Sequence, residues 1–322
     1  MTINVSIDLK KLDKTRFKPI KKNSGEEALL NCATDRIEPL FVTKGQPSGL
    51  LTGFPDIDRM TNGLHGGEMI IIAARPSLGK SSLMMNWAEN VVLEQKQAAG
   101  VFCLEMSAEA LMQRFIGSVG RVNVRKPWEL NESQVSSMVI ATDKLRGATH
   151  RLIIDDTSGL SILELRAKVR RMVQMDDIKI AFIDYLQLLH GTSKKARDNR
   201  QVEISEISQG IKALAKELAI PIVVLSQLNR ELEKDKRRPR VSDLRESGSL
   251  EQDADLIGLL SQETDEDGNP KMAGDAIISN FEIAKQRNGP TGTVKLNFFK
   301  NWTRFDSIPK VDRADIEQLH NN

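Results

Sequence analysis

Residues 67–82 read GEMIIIAARPSLGKSS. The first half holds an apolar, β-branched run, Met69–Ala73. The second half, Ala74-Arg75-Pro76-Ser77-Leu78-Gly79-Lys80-Ser81, is a short polar turn that runs into a helix-period stretch, Ser81–Leu93. Strand, turn, Gly-Lys-Ser and helix in that order form the context in which a phosphate-binding loop works. The backbone N–H groups of such a loop and the N-terminus of the helix behind it converge on an anion. Arg75, Pro76, Ser77, Leu78, Gly79, Lys80, Ser81 and Ser82 are therefore the expected nucleotide-binding residues. Lys80 would reach the β- and γ-phosphates of ATP, and Ser81 would hold Mg²⁺. The general motif opens on glycine where this chain has Ala74. Alanine adopts positive φ less readily than glycine, so a loop entry of somewhat different shape is expected.

Outward from the loop, apolar runs recur at Val101–Leu104, Leu152–Ile154, Ile180–Ile183, Ile222–Leu225 and Leu256–Leu260. Helix-period segments such as Ile162–Val173 and Val202–Leu218 lie between them. Buried strands alternating with helices predict an α/β fold, a mostly parallel sheet with helices on both faces. Two later runs, Ala276–Ala284 and Thr293–Phe299, flank QRNGPTG. Asn288-Gly289 before Pro290 is a turn signal, so a C-terminal β-hairpin at the sheet edge is expected. Upstream, residues 1–24 are basic, polar and aperiodic and read as an arm. Within 25–49, Leu29, Leu30, Ala33, Ile37, Leu40 and Phe41 recur at helical spacing, giving an amphipathic helix over Glu26–Phe41 and then a linker, Lys44–Gly49. The ATPase domain is expected over 50–307, and 308–322 reads as a polar tail.

Composition narrows the partners. Lys plus Arg number 46 against 44 Asp plus Glu, a formal net charge of +2. No global positive field advertises a nucleic acid, so any such site must come from local clustering. Two cysteines and four histidines lack metal-ligand spacing and do not make a disulfide framework. A reducing, cytoplasmic location follows, in a bacterial nucleoid or a phage-infected cell. No apolar run approaches the roughly 20 residues that span a bilayer, so no membrane partner is expected.

Three polar residues close apolar strands. Asp184 ends Ile180–Ile183, and in a parallel sheet that end faces the ligand crevice, where it would sit beside Mg²⁺. Glu105 follows Val101–Leu104. It is either a general base for the attacking water or simply the residue before a helix starting near Ser107. Gln227 follows Ile222–Leu225, and either senses the γ-phosphate through its amide or satisfies a loop.

The segments ARPSLGKS, CLEMS, FIDYLQLL, VVLSQLNRELE, SDLRESGSLEQDADLI and AKQRNGPTG follow one another from about Leu50 to Phe305. In this order they resemble the motifs of DnaB-type replicative helicases, which have a RecA-like P-loop NTPase core. The resemblance implies a homo-oligomer, a hexameric ring that encircles single-stranded DNA. Such a ring hydrolyses ATP with Mg²⁺, moves 5′ to 3′ and unwinds duplex. It implies Glu105 as catalytic base, Gln227 as phosphate sensor, and Lys285 and Arg287 reaching into the neighbouring subunit's nucleotide. DNA contacts are implied in two basic stretches, one with Lys194, Lys195, Arg197 and Arg200, the other with Lys234, Lys236, Arg237, Arg238 and Arg240. The phosphate contacts look most like Arg245, Glu246 and the backbone N–H of Gly248. Both stretches lack aromatic residues, so phosphate tracking rather than base stacking is expected, tolerant of sequence and weakened by salt.

The helix Glu26–Phe41 resembles the family's linker helix, which docks on an adjacent subunit. Family members carry a helical N-terminal domain that recruits primase, and residues 1–49 do not look like it. A helicase loader and a primase are the further partners the family implies. Two other functions fit the same core: a ring that loads or regulates a helicase without unwinding, and a RecA- or KaiC-like ATPase. The DLRESG and KQRNGP segments favour the helicase over the latter.

Overall fold

The computed structural model describes residues 47–228, 237–244 and 247–309. The arm at 1–24, the helix Glu26–Phe41, Lys234, Lys236, Arg245, Glu246, the side chain of Arg197 and the tail from 310 onward lie outside the described residues. In chain order the strands are β1 Met69–Ala74, β2 Ala99–Cys103, β3 Leu152–Asp155, β4 Ile180–Asp184, β5 Ile222–Gln227, β6 Leu256–Gln262, β7 Met272–Ala273, β8 Ala276–Gln286, β9 Gly292–Phe299 and β10 Arg304–Ser307. The α-helices are α1 Pro55–Thr61, α2 Lys80–Glu89, α3 Ala108–Gly120, α4 Glu132–Arg146, α5 Ile162–Asp176, α6 Lys194–Asp198, α7 Arg200–Leu218 and α8 Ser247–Asp253.

All ten strands join one sheet in the order β10-β9-β8-β6-β1-β5-β4-β2-β3, with β7 paired to β8. From β6 through β3 the pairings are parallel. From β6 through β10 they are antiparallel. This is the α/β architecture expected from the alternating runs, with the hairpin at the edge. β1 is buried at every position, as a central strand covered on both faces must be. Its alternate residues divide between two cores. Ile70, Ile72 and Ala74 pack with Leu83 and Trp87 of α2 and Phe115 of α3. Met69, Ile71 and Ala73 pack with Leu165 of α5 and Ile207 and Ile211 of α7.

The hairpin is longer than the sequence suggests, and a further strand, β10, backs it. The register of β8 against β6 slips between Ile257 and Gly258, so that Lys285 pairs Ile257 while Ile283 pairs Gly258. The Phe281 ring fills the place of a side chain at Gly258, where a Cβ would lie 2.2 Å from it. The basic stretch after β4 is helical rather than a loop. Ser193 accepts a hydrogen bond from the Ala196 N–H and starts α6, and Asn199 caps α7 immediately afterwards. Two adjacent polar caps give this short segment a local reason to coil.

Candidate nucleotide site

Register alone assembles the site. Parallel pairing sets Ala74 beside Gln227 and Cys103 beside Asp184, so the loops leaving β1, β2, β4 and β5 open at one edge of the sheet. Ala74 is the last residue of β1, paired on both sides, and needs no positive φ. The left-handed positions are Ser77 and Gly79, at φ 63° and 90°. The expected irregularity at Ala74 is therefore not found; the turn begins one residue later. At Gly79 a Cβ would also lie 2.8 Å from Phe298 and 2.9 Å from Phe305, so two independent constraints select glycine there.

The loop borders a cleft of about 560 Å³, with Glu105 on one wall and Tyr185 and Gln227 on another. Lys80 Nζ lies 3.7 Å from Asp184 Oδ1 and 4.6 Å from the centroid of the Tyr185 ring. Burial pushes the Lys80 ammonium below its ordinary pKa, and the Asp184 and Glu105 carboxylates act against that shift. Asp184 is 1% exposed, and its Oδ1 is buried with no hydrogen-bond partner. An orphaned buried carboxylate oxygen beside a phosphate loop suits a hard cation that shares one or two protein oxygens with substrate phosphates. Ser81, in the same cleft, supplies a second such oxygen. Glu105 is exposed to the cleft, just past the end of β2. Neighbouring Cys103 is inert, because burial pushes its thiol up to about 12.

Lys285 and Arg287 are elsewhere. Because β8 runs antiparallel to β6, Lys285 and Gln286 pair Ile257 and Leu256 at the start of β6, at the sheet edge opposite the cleft. Lys285 Nζ donates to the carbonyl of Ala254 at 2.8 Å and to that of Glu251. Arg287 donates to the carbonyl of Gln252 and pairs with Asp255 at 3.4 Å. Both cations thus sit on the C-terminal end of α8, whose first turn carries the exposed Gly248.

Two of the basic residues read as DNA contacts are engaged within the chain. Arg237 forms a bidentate pair with Asp243, at 2.7 and 2.8 Å, and Arg200 is held by Glu203 and the Gln187 carbonyl. Lys194 and Lys195 are exposed. The backbone just before them is fastened to α7. Glu203 accepts from the Gly191 N–H at 2.9 Å, and Glu206 accepts from the Thr192 N–H at 2.8 Å. The Ser193 side chain first, then the Thr192 backbone, hold the Glu206 carboxyl down at about 2. A depressed carboxylate contributes stability above its ordinary value, here 4.5, and loses it as pH falls from there towards about 2. Hydrogen exchange should therefore show the amides of Gly191–Ser193 losing protection across that window, relative to those of α7. Glu206→Gln should lack this pH dependence; an unchanged profile in the variant would assign the acid transition to another group.

A model of the DnaB-like helicase C-terminal domain matches residues 49–307. The chain belongs to the DnaB-like helicase C-terminal domain family. It is 41% identical over 279 residues to the replicative DNA helicase DnaC of Bacillus subtilis, covering 86% of this chain and 60% of that protein. It is 41% identical over 286 residues to DnaB of Geobacillus stearothermophilus, covering 88% and 62%. The chain thus spans about three fifths of the length of these relatives. Among solved structures it resembles a DnaB-like replicative helicase described with its interactions with primase, at TM-score 0.78 and 33% identity over 88% of this chain and 67% of that one. A second solved structure, of an isolated ATPase domain, matches with the same TM-score, 0.78, and the same identity, 33%, over 89% of this chain and 100% of that one.

In this DnaB-like domain the cleft also has cationic walls that motif reading missed. Arg114 from α3, Arg125 beyond it and Lys300 from the turn after β9 all line it. No local pattern marks them. They reach the cleft because α3 packs beside α2 and because β10 brings the β9 turn against the phosphate loop.

Proposed function

We propose that this chain is the motor of a replicative DNA helicase, a ring of identical subunits that hydrolyses ATP to move 5′ to 3′ along single-stranded DNA and separate duplex. Lys80 and the loop N–H groups of Arg75–Ser82 bind the phosphates. Ser81 and Asp184 would hold Mg²⁺, which when bound neutralises phosphate charge. Glu105 takes the proton of the attacking water, and Gln227, half-buried beside Ala74, contacts the γ-phosphate. Lys194, Lys195, Arg197, Arg245, Glu246 and Gly248 are the contacts to the strand.

The observation that carries this reading is the placement of Lys285 and Arg287. The start of β1 adjoins Asp255, which pairs with Arg287, and the phosphate loop leaves the other end of that strand. Six residues of strand separate them by roughly 16 Å, at about 3.3 Å per step. An arginine side chain does not span that from a fixed backbone, so any nucleotide these cations touch belongs to another subunit. Hydrolysis then requires assembly, as in other phosphoryl-transfer enzymes that take an arginine in trans. An exposed apolar group beyond α3, Trp128 with Val135, Val139 and Ile140 of α4, offers surface for such assembly.

The test is ATPase activity across protein concentration, with and without single-stranded DNA. Specific activity should rise steeply from the dilute end and rise further with DNA, and that stimulation should fall with salt. Activity indifferent to both protein concentration and DNA would overturn the reading.

A further inference from the structure

The residue that fixes Arg287 is one that no motif singled out. Asp255 lies between α8 and β6, with a side chain about 10% exposed. One carboxylate oxygen accepts from the N–H of Met69, the first residue of β1, at 2.8 Å, and from Lys212 of α7. The other oxygen faces the Arg287 guanidinium at 3.4 Å. The Asp255 carbonyl also accepts the Arg287 backbone N–H, at 2.9 Å. Arg287 is therefore held to Asp255 twice, through backbone and through side chain, while Asp255 is anchored to the central strand and to a core helix. The arginine side chain nevertheless remains 46% exposed, with the rest of its planar fork of donors turned outwards.

This is the arrangement a cation needs if it is to act on a neighbour's phosphate. One edge is fixed to a rigid element and the other is free, so the charge is pre-oriented rather than recruited from a mobile side chain. Lys212 matters to the balance. It also donates to the Gly67 carbonyl, which holds its ammonium in place and keeps Asp255 from turning wholly towards Arg287. Resting on the in-trans reading given above, we propose that Asp255 is the positioning residue for Arg287, setting where the guanidinium meets the adjacent subunit's nucleotide.

Mixed rings separate this from a merely structural role. Full-length Lys80→Ala subunits have no working site of their own but offer Arg287. Full-length Arg287→Ala subunits have an intact site but no arginine to offer. Combined, they should regain DNA-stimulated ATPase activity that neither shows alone. Asp255→Asn placed in the Lys80→Ala subunit should lower the regained kcat roughly 10-fold, on the scale that a small misplacement of a catalytic group costs. The same change in the Arg287→Ala subunit should leave it within about twofold, because that subunit's Asp255 holds no arginine. Asp255→Glu keeps the charge one methylene away, and should give a smaller loss on the same side only. It also serves where Asp255→Asn does not fold. If mixing restores nothing, the in-trans reading falls and this proposal with it. If mixing restores activity but the Asp255 variants act equally from either subunit, the in-trans reading stands and Asp255 is only structural.

Discussion

Arg287→Ala is expected to leave nucleotide affinity within about threefold and to lower turnover by roughly 10³, the lower end of what an arginine supplied in trans contributes. The asymmetry follows from where the side chain sits. Arg287 is absent from the walls of its own cleft and lies at the other end of β1, so the groups that hold nucleotide in the ground state survive the change. What is lost is charge that meets the γ-phosphoryl oxygens as the transition state spreads negative charge over them, and only interactions stronger there than in the bound substrate change kcat. Loss of fold is not the expected route. Its ion pair with Asp255 is half-exposed, and such pairs contribute little to stability. Titration of a fluorescent nucleotide and steady-state hydrolysis on the same preparation check both halves. Turnover within threefold of the parent chain would remove Arg287 from the reaction; weakened binding with normal turnover would put it in the wrong role.

Sequence made the near side of the site legible and left the far side dark, for a physical reason. Lys80, Asp184 and Gln227 stand at or just beyond the ends of strands, and strand ends are local facts: an apolar run stops and a polar residue follows. Once the strands are parallel, register carries those ends to one edge without any contact having to be foreseen. The hairpin was readable in the same way, since Asn288-Gly289-Pro290 interrupts two apolar runs. Arg114, Arg125 and Lys300 carry no such mark. They line the cleft because α3, the segment after it and the β9 turn happen to fold over the phosphate loop, which depends on how helices pack. Asp255 was equally hidden. It lies inside SDLRESGSLEQDADLI, but its partners Met69, Lys212 and Arg287 are drawn from three other elements. Arg237 and Arg200 show the converse. Their positive charge was visible, and their engagement with Asp243 and Glu203 was not. The helix α6 fell between these cases, because its two polar caps were in plain view but the run of lysines suggested a solvated loop.

Lys80→Ala should abolish measurable hydrolysis, a loss of at least about 10², typical of removing one preorganised electrostatic donor. The effect on the fold should be much smaller. Lys80 sits below its ordinary pKa because the cost of burying an ammonium outweighs the pull of Asp184 and Glu105, so the cation does not repay its own burial in the nucleotide-free chain. Removing it relieves that cost and gives up the 4.6 Å contact with the Tyr185 ring and the 3.7 Å approach to Asp184. These terms oppose one another, and the melting temperature without nucleotide should move by only a few degrees, as about 1 kcal/mol does in a domain of this size. The difference should appear when nucleotide is added. A ligand at 100 times its Kd stabilises the folded state by about 2.7 kcal/mol, and the parent chain should show that upward shift with ATP and Mg²⁺. Lys80→Ala should lose most of it, because phosphates then enter a cleft whose innermost group is the Asp184 carboxylate with nothing to offset its charge. A variant that keeps both the full nucleotide-induced shift and more than a tenth of the turnover would mean that the phosphates bind somewhere other than the loop at Arg75–Ser82.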